Sequence, residues 1–289
     1  MNCDENILLD SLKREYWLRE ISYQHGIHSG KQVGKKILVC FDKSISKSEI
    51  KPFHLVTLAS LIHHLNSKGY SLYLSRENSE VYDFIYNELG FHQYWKGEKN
   101  HVEALSDDRI FNLWRVVDDE KDLYAKNVED YFRKKYFRDK DLSAISVGLI
   151  EAYYNVFDHA DAQGNAFSLI QYDEKNCMLH VAISDFGIGI AQSVRNYDSS
   201  VKDDKTAILK AVEDKFTTKS TKRNKGLGLC NILSSANEAR IFSHYGLVRK
   251  SDGRLQGRNC DFQYPGTLIY YDIDLSKMET EEILEEFNF

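Results

Sequence analysis

Proline is almost missing from this chain of 289 residues: only Pro52 and Pro265 occur, and no low-complexity tract or internal repeat marks a boundary. Domain limits must therefore come from changes in hydrophobic pattern. No apolar run approaches the roughly 20 residues that a membrane-spanning helix needs. The acidic first ten residues lack the apolar stretch of a secretory signal. Cys3, Cys40, Cys177, Cys230 and Cys260 are far apart and form no C-x-x-C pair. That spacing argues against a zinc site and a disulfide framework, and suits thiols in a reducing cytosol. Basic excess is missing as well. A net charge of -6 argues against nucleic acid as the partner, because such binders usually carry a basic face. The expectation is a cytoplasmic protein with no membrane partner. Its apolar and charged fractions, 42% and 28%, are ordinary for a globular chain with one large or two ordinary domains.

Three parts are predicted. Residues 1–34 form an N-terminal helix, at about 5–24 (Ile7, Leu8, Leu12, Tyr16, Ile21), and a linker rich in Gly, His and Ser. Residues 35–104 form a small α/β unit. In it a buried strand at 36–42 precedes a helix that opens at Pro52, a favoured place for proline. Leu55, Leu58, Ile62 and Leu65 then keep helical spacing. A strand at 70–74, a helix capped by Ser79 and ended by Gly90, and a short strand near 91–95 follow. The charged stretch 98–108 connects to residues 105–289. There a strand at 109–116, helices at 119–137 and 141–159, and strands at 166–172 and 177–184 are expected. One helix at 206–215, another from Leu227, and strands at 239–245 and 266–274 complete the domain. That order suits α+β architecture, an antiparallel sheet with helices on one face.

Four elements carry chemistry. Glu151, Asn155 and His159 recur every four residues and line one helix face. A carboxylate and an amide oxygen so placed suit a hard cation that keeps several waters, and also an ordinary polar helix face. Asp185-Phe-Gly187-Ile-Gly189 follows directly on an apolar strand, so an acid sits at the lip of a turn that glycine tolerates best. No nucleotide loop or catalytic-loop signature of a protein kinase accompanies this Asp-Phe-Gly. Asn224-Lys225-Gly226-Leu227-Gly228-Leu229 precedes an apolar helix, where exposed N–H groups and the helix dipole attract anions. Lys219, Lys222, Arg223 and Lys225 crowd its approach. Dinucleotide and P-loop patterns are both absent. Finally, Pro265-Gly266-Thr267 introduces the last strand and places a hydroxyl there.

Taken together, the four elements resemble the boxes of the GHKL superfamily, the ATP-binding domains of gyrase, the heat-shock chaperone, histidine kinases and MutL. The resemblance covers roughly residues 105–275 and is closest to anti-sigma-factor-kinase-like stand-alone ATPases. It implies a two-layer α/β sandwich preceded by a small α/β unit that is similar to a STAS module. It implies ATP and Mg2+ as cofactors, with Asn155 as the metal ligand. Glu151 would orient or deprotonate the nucleophile, and Asp185, with Gly187 and Gly189, would read the adenine amine. Asp158 and His159 would join the cofactor contacts, as would Thr218 and Lys219 in the lid. Lys225, Gly226, Leu227, Gly228 and Leu229 would hold phosphates, and Thr267 would bridge to the base or to Asp185. Val156 departs from the family's usual small residue, and Asn224 and Lys225 stand where glycines often occur. The implied activity is a Mg-dependent ATPase or protein serine/threonine kinase with a protein partner or phosphoacceptor, and many such proteins form homodimers. The rival is an interaction module that uses ATP as a conformational ligand. A histidine kinase would need a phosphoacceptor on a helical hairpin, which the placement of His63 and His64 does not offer.

Overall fold

The computed structural model describes residues 3–95, 107, 109–159, 166–213 and 228–280. The first module runs β1 (Glu5–Leu9), α1 (Arg14–Ile27), β2 (Lys36–Phe41), α2 (Pro52–Ser67), β3 (Ser71–Leu74), α3 (Ser79–Tyr82) and α4 (His92–Trp95), with a π turn at Asp83–Glu88. Its sheet is parallel, in the order β1-β2-β3. The expected first helix is thus corrected in its N-terminal half. Ile7 and Leu9 are buried while Leu8 between them is 54% exposed, a period of two that belongs to a strand beside β2. The strand expected near 91–95 is a helical turn, and Asn78, not Ser79, caps α3 by accepting the Val81 N–H at 3.1 Å.

The second domain runs β4 (Ile110–Val116), α5 (Lys121–Tyr136), α6 (Ser143–Tyr154), β5 (Ala166–Asp173), β6 (Met178–Asp185), α7 (Gly189–Tyr197), α8 (Asp204–Ala211), α9 (Gly228–Ser235), β7 (Glu238–Ser251) and β8 (Arg254–Asp274). The sheet is antiparallel throughout, in the order β4-β5-β6-β8-β7. Mixed α+β architecture is therefore observed. Two features go beyond the sequence reading. Helix α7 stands where only polar loop was expected, and β7 and β8 extend into a long hairpin that turns at Asp252 and Gly253, both at positive φ.

Strand alternation divides the core. Leu179, Val181 and Ile183 of β6 pack with Ile269, Tyr271 and Ile273 of β8 beneath the helices. Ala182, Leu268 and Tyr270 pack instead with the first module. The sheet is covered on both faces, by helices on one side and by α1 and α2 on the other. The small α/β unit expected ahead of the sheet-and-helix domain is present, and it closes the second face of the larger sheet. The doubly covered position also explains α2, which is buried continuously from Pro52 to Leu61. A helix with apolar residues all round needs partners all round, and α2 lies between its own sheet and the larger one. Exposed ion pairs at the rim, Arg19 with Asp261 and Arg258 with Glu15, join α1 to β8. Such pairs contribute little alone; the apolar contact between the layers contributes more.

Candidate functional site

The end of β6 fixes where the acid points. Asp185 is two residues beyond Ile183, so it shares the helical face of the sheet. Only 1% of it is exposed. Its Oδ1 accepts the Gly187 N–H at 2.7 Å, whereas its Oδ2 is buried with no well-aligned hydrogen-bond partner among the described residues, the nearby Thr267 hydroxyl acting on the carboxyl more loosely. Burial pushes the carboxyl up to about 7, against the downward pull of the Gly187 amide and of Thr267. A buried acceptor with no donor costs about 1–3 kcal/mol, and an N–H from a ligand would relieve that cost.

The turn beyond it is closed by glycines. Gly189 lies at φ +77, and a Cβ there would stand 2.5 Å from Ser243 Oγ and 2.7 Å from the Gly266 carbonyl oxygen. Gly266, at φ +100, backs onto the same turn, and its Cβ would run into the Asp185 carbonyl and stand 2.8 Å from the Gly187 nitrogen. No other residue type fits either place without moving backbone. Residues 185–189 and 265–267 thus form one packed unit, with Asp185 opposite Thr267 in the β6–β8 register.

Helix α7 rises from this unit. Its Ile190 N–H donates to Thr267 Oγ1 at 3.2 Å and its Ala191 N–H to Ser243 Oγ at 3.1 Å. Side chains remote in sequence cap the first turn. The Thr267 hydroxyl accordingly serves α7, beside Asp185.

Across the helical layer, α6 ends at Tyr154 and continues as a π turn, Asn155–His159, a widening often found at functional sites. The Asn155 Nδ2 donates to the Glu151 carbonyl at 2.7 Å. That spends the amide nitrogen on the helix and leaves the amide oxygen as the group available to a cation. Glu151 is half-buried; burial raises its carboxyl pKa, and a hydrogen bond from Asn231 of α9 opposes the shift. The π turn packs on α7 and α6 packs on α9. Segments carrying Glu151, Asn155, Asp185 and Thr267 therefore border one region of the helical face.

Gly228 opens α9, and Leu229 is 2% exposed within the helical core. Thr218, Lys219, Lys225, Gly226 and Leu227 lie outside the described residues, as do the side chains of Asp158 and His159. Among the described residues no three His, Cys, Asp or Glu side chains converge as a metal cage. A cation held mainly by water and phosphate needs few protein ligands, so the Asn155 oxygen fits that mode. Asn231, Ser243 and His244 belong to the surroundings without having been singled out in sequence. Asn231 had a signal, its place in the first turn of the helix after Gly226 and Gly228; the other two depend on strand pairing. The five thiols are free, and no helix among the described residues is long and apolar enough to cross a membrane. A scan against protein-family models finds no match for the chain, and a search of curated proteins finds none either.

Proposed function

We propose that the second domain binds ATP with magnesium on the helical face of its sheet, and that it hydrolyses ATP or phosphorylates a protein serine or threonine as a regulatory switch. The observation that carries this reading is the Asp185 Oδ2, buried with no well-aligned donor among the described residues, on a turn whose glycines leave no room for a side chain. An exocyclic amine on a planar base supplies an N–H of the kind this oxygen lacks, and the glycines, packed against Ser243, His244 and each other, hold the turn that presents it. A carboxylate acceptor selects adenine over guanine, whose corresponding position is a carbonyl. Asn155 would contribute its amide oxygen to the cation and Glu151 would accept a proton from the attacking water or hydroxyl. Magnesium, when bound, neutralises phosphate charge during transfer. The upward shift of Glu151 supports a base role, since a catalytic carboxylate works best when its pKa approaches the operating pH.

A second reading has its own support. The first module packs on the reverse side of the strand that ends in Asp185. That arrangement favours ATP as a conformational ligand, which needs different affinities in two states and no turnover.

Calorimetric titration of the whole chain with MgATP and MgGTP, followed by phosphate release and phosphotransfer assays, separates these readings. Asp185→Asn is expected to abolish adenine preference, and Asn155→Ala to remove the magnesium dependence of binding. Glu151→Gln is expected to retain binding and lose turnover by about 100-fold or more. Absence of MgATP binding by the wild type refutes the nucleotide reading. Binding with no phosphate or phosphoprotein formed, with candidate acceptors present, leaves only the conformational one.

A further inference from the structure

His244 is a non-glycine residue at φ +52, a conformation that costs roughly 1–2 kcal/mol for an L-residue. It lies in β7 where the pairing with β8 slips, with register shifts on both sides of it, as at a β-bulge. Its neighbours fix the irregularity. Ser243 Oγ accepts the Ala191 N–H at 3.1 Å, and the Asp204 carboxylate accepts the Tyr245 N–H at 3.0 Å. A bulge re-aims one side chain, and here the ring lands on the turn that follows Asp185. The His244 Nε2 lies 2.7 Å from the Ile188 carbonyl oxygen, and its Nδ1 lies 3.1 Å from Gln263 Nε2. One protonation state satisfies both bonds: Nε2–H donates to Ile188, and Nδ1 accepts from Gln263. The ring also stands where a Gly189 Cβ would come within 3.0 Å of its Cδ2.

We infer that His244 is a positioning residue for the proposed nucleotide site. Strained backbone, bulge and a doubly bonded ring together clamp the carbonyl of Ile188, between the two glycines, and so hold the turn that presents the Asp185 carboxyl. Gln263 sets the ring's tautomer. The clamp reaches the turn from the side of a cavity of about 620 Å3 lined by α1, the turn and β8, opposite the face on which Asp185 lies. It acts through backbone and touches no reacting atom.

The inference rests on the nucleotide reading for its consequence, and its geometry is testable without nucleotide. His244→Gly removes the clamp while relieving the positive φ, so thermal stability is expected to hold or rise. Hydrogen exchange of the backbone amides of residues 187–191 is expected to quicken in that variant, and MgATP affinity to fall about five- to tenfold. His244→Gln, long enough to reach the Ile188 carbonyl with an N–H, is expected to restore most of both. A merely structural histidine predicts the reverse pattern: lower stability, with binding per folded molecule unchanged. Unchanged exchange in His244→Gly overturns the clamp. If the wild type binds no MgATP but exchange quickens, the clamp stands and the nucleotide reading falls. Should His244→Gly fail to fold, Gln263→Ala, which leaves the β7 backbone intact, takes its place. Unaltered exchange in Gln263→Ala then overturns the clamp.

Discussion

Replacing Asp185 by Asn should make the protein more stable at pH 8 while weakening MgATP binding and abolishing its preference for adenine. In the unfolded chain this carboxyl loses its proton near 3.8, whereas in the fold burial holds it to about 7. Between those values the unfolded state binds fewer protons than the native state, so the group's contribution to stability falls as pH rises. It is fully present below pH 4 and lost above pH 7. The gap of about three pH units corresponds to roughly 4 kcal/mol. An Asn in the same place can keep the bond from the Gly187 N–H through its oxygen and never ionises. Its amide nitrogen then occupies the position of Oδ2, where no well-aligned partner stands among the described residues, at a cost of about 1–3 kcal/mol. The variant should therefore exceed the wild type by about 1–3 kcal/mol at pH 8 and match or trail it near pH 4. Urea unfolding of both proteins at pH 4.5, 6 and 8, without nucleotide, measures the difference; charges elsewhere cancel in the comparison. In binding, the Asn would set its N–H groups against the adenine amine, so MgATP affinity should fall at least about tenfold. Parallel stability–pH curves for the two proteins would show that the fold does not hold this acid neutral. Undiminished ATP binding would remove Asp185 from base recognition.

Three further outcomes follow from the same geometry. MgATP binding to the wild type should tighten between pH 6 and pH 8 and release up to one proton, because the amine bonds the ionised carboxyl of a group held near 7; titrations in buffers of different ionisation heat measure the release, and heats independent of buffer would contradict it. Gly266→Ala, at φ +100 and facing the Asp185 carbonyl, should lose about 2–4 kcal/mol; a variant as stable as wild type by chemical unfolding would show that the turn yields freely. Ser60→Ala and Ser184→Ala, which break a buried 2.8 Å bond between the module and the sheet, should each cost about 1 kcal/mol and couple by about 0.5–1.5 kcal/mol; additive losses in a double-mutant cycle would show that the pair does not join the two layers.

Legibility in the sequence followed the range of the forces involved. Strand β6 and its terminal Asp185 could be read locally, since an apolar run meets an acid and two glycines, and the start of α2 could be read from Pro52. Strand β1 could not. Ile7, Leu8 and Leu12 fit a helical spacing as well as a strand, and the decision rests on pairing with β2, about thirty residues away in sequence (Ile7 opposite Val39). Helix α7 was hidden because it opens on glycine and carries no local cap. Its caps come from Thr267 and Ser243, at sequence separations of 77 and 52. The burial of Thr57 and Ser60 on α2 likewise has no local cause. The Thr57 hydroxyl accepts from the Trp17 indole at 2.8 Å, and Ser60 meets the other domain's sheet, so both make sense only once the layers are assembled. His244 belongs to the same class: a bulge is a property of two strands in register, and no single segment announces it.

The packing of the layers bears on how a ligand at Asp185 would be felt elsewhere. Because strand side chains alternate, the two residues flanking Asp185 face the module. Ser184 is the middle of a directed chain of hydroxyls. Ser60 gives its proton to the Val56 carbonyl at 2.9 Å, so it must accept from Ser184 at 2.8 Å, and Ser184 must then accept from Tyr264 at 2.7 Å. Each hydroxyl has one proton, so the order is fixed, and none can turn away without leaving a buried atom unpaired. On the other side, the Phe186 ring meets the edge of His25 at 4.9 Å and of Tyr264 at 5.9 Å. His25 lies against His64, and burial pushes both down to about 4, so this contact is uncharged at neutral pH. A backbone shift at Asp185 must therefore disturb a hydroxyl chain that ends on α2 through one neighbour, and an aromatic cluster that reaches α1 and α2 through the other. Packed interiors resist such a shift by small steps. Any free energy by which a ligand favours one position of the turn is then shared with the docking of the module, and the coupling is reciprocal: loosening the module must change affinity at Asp185 by the same factor that the ligand changes docking.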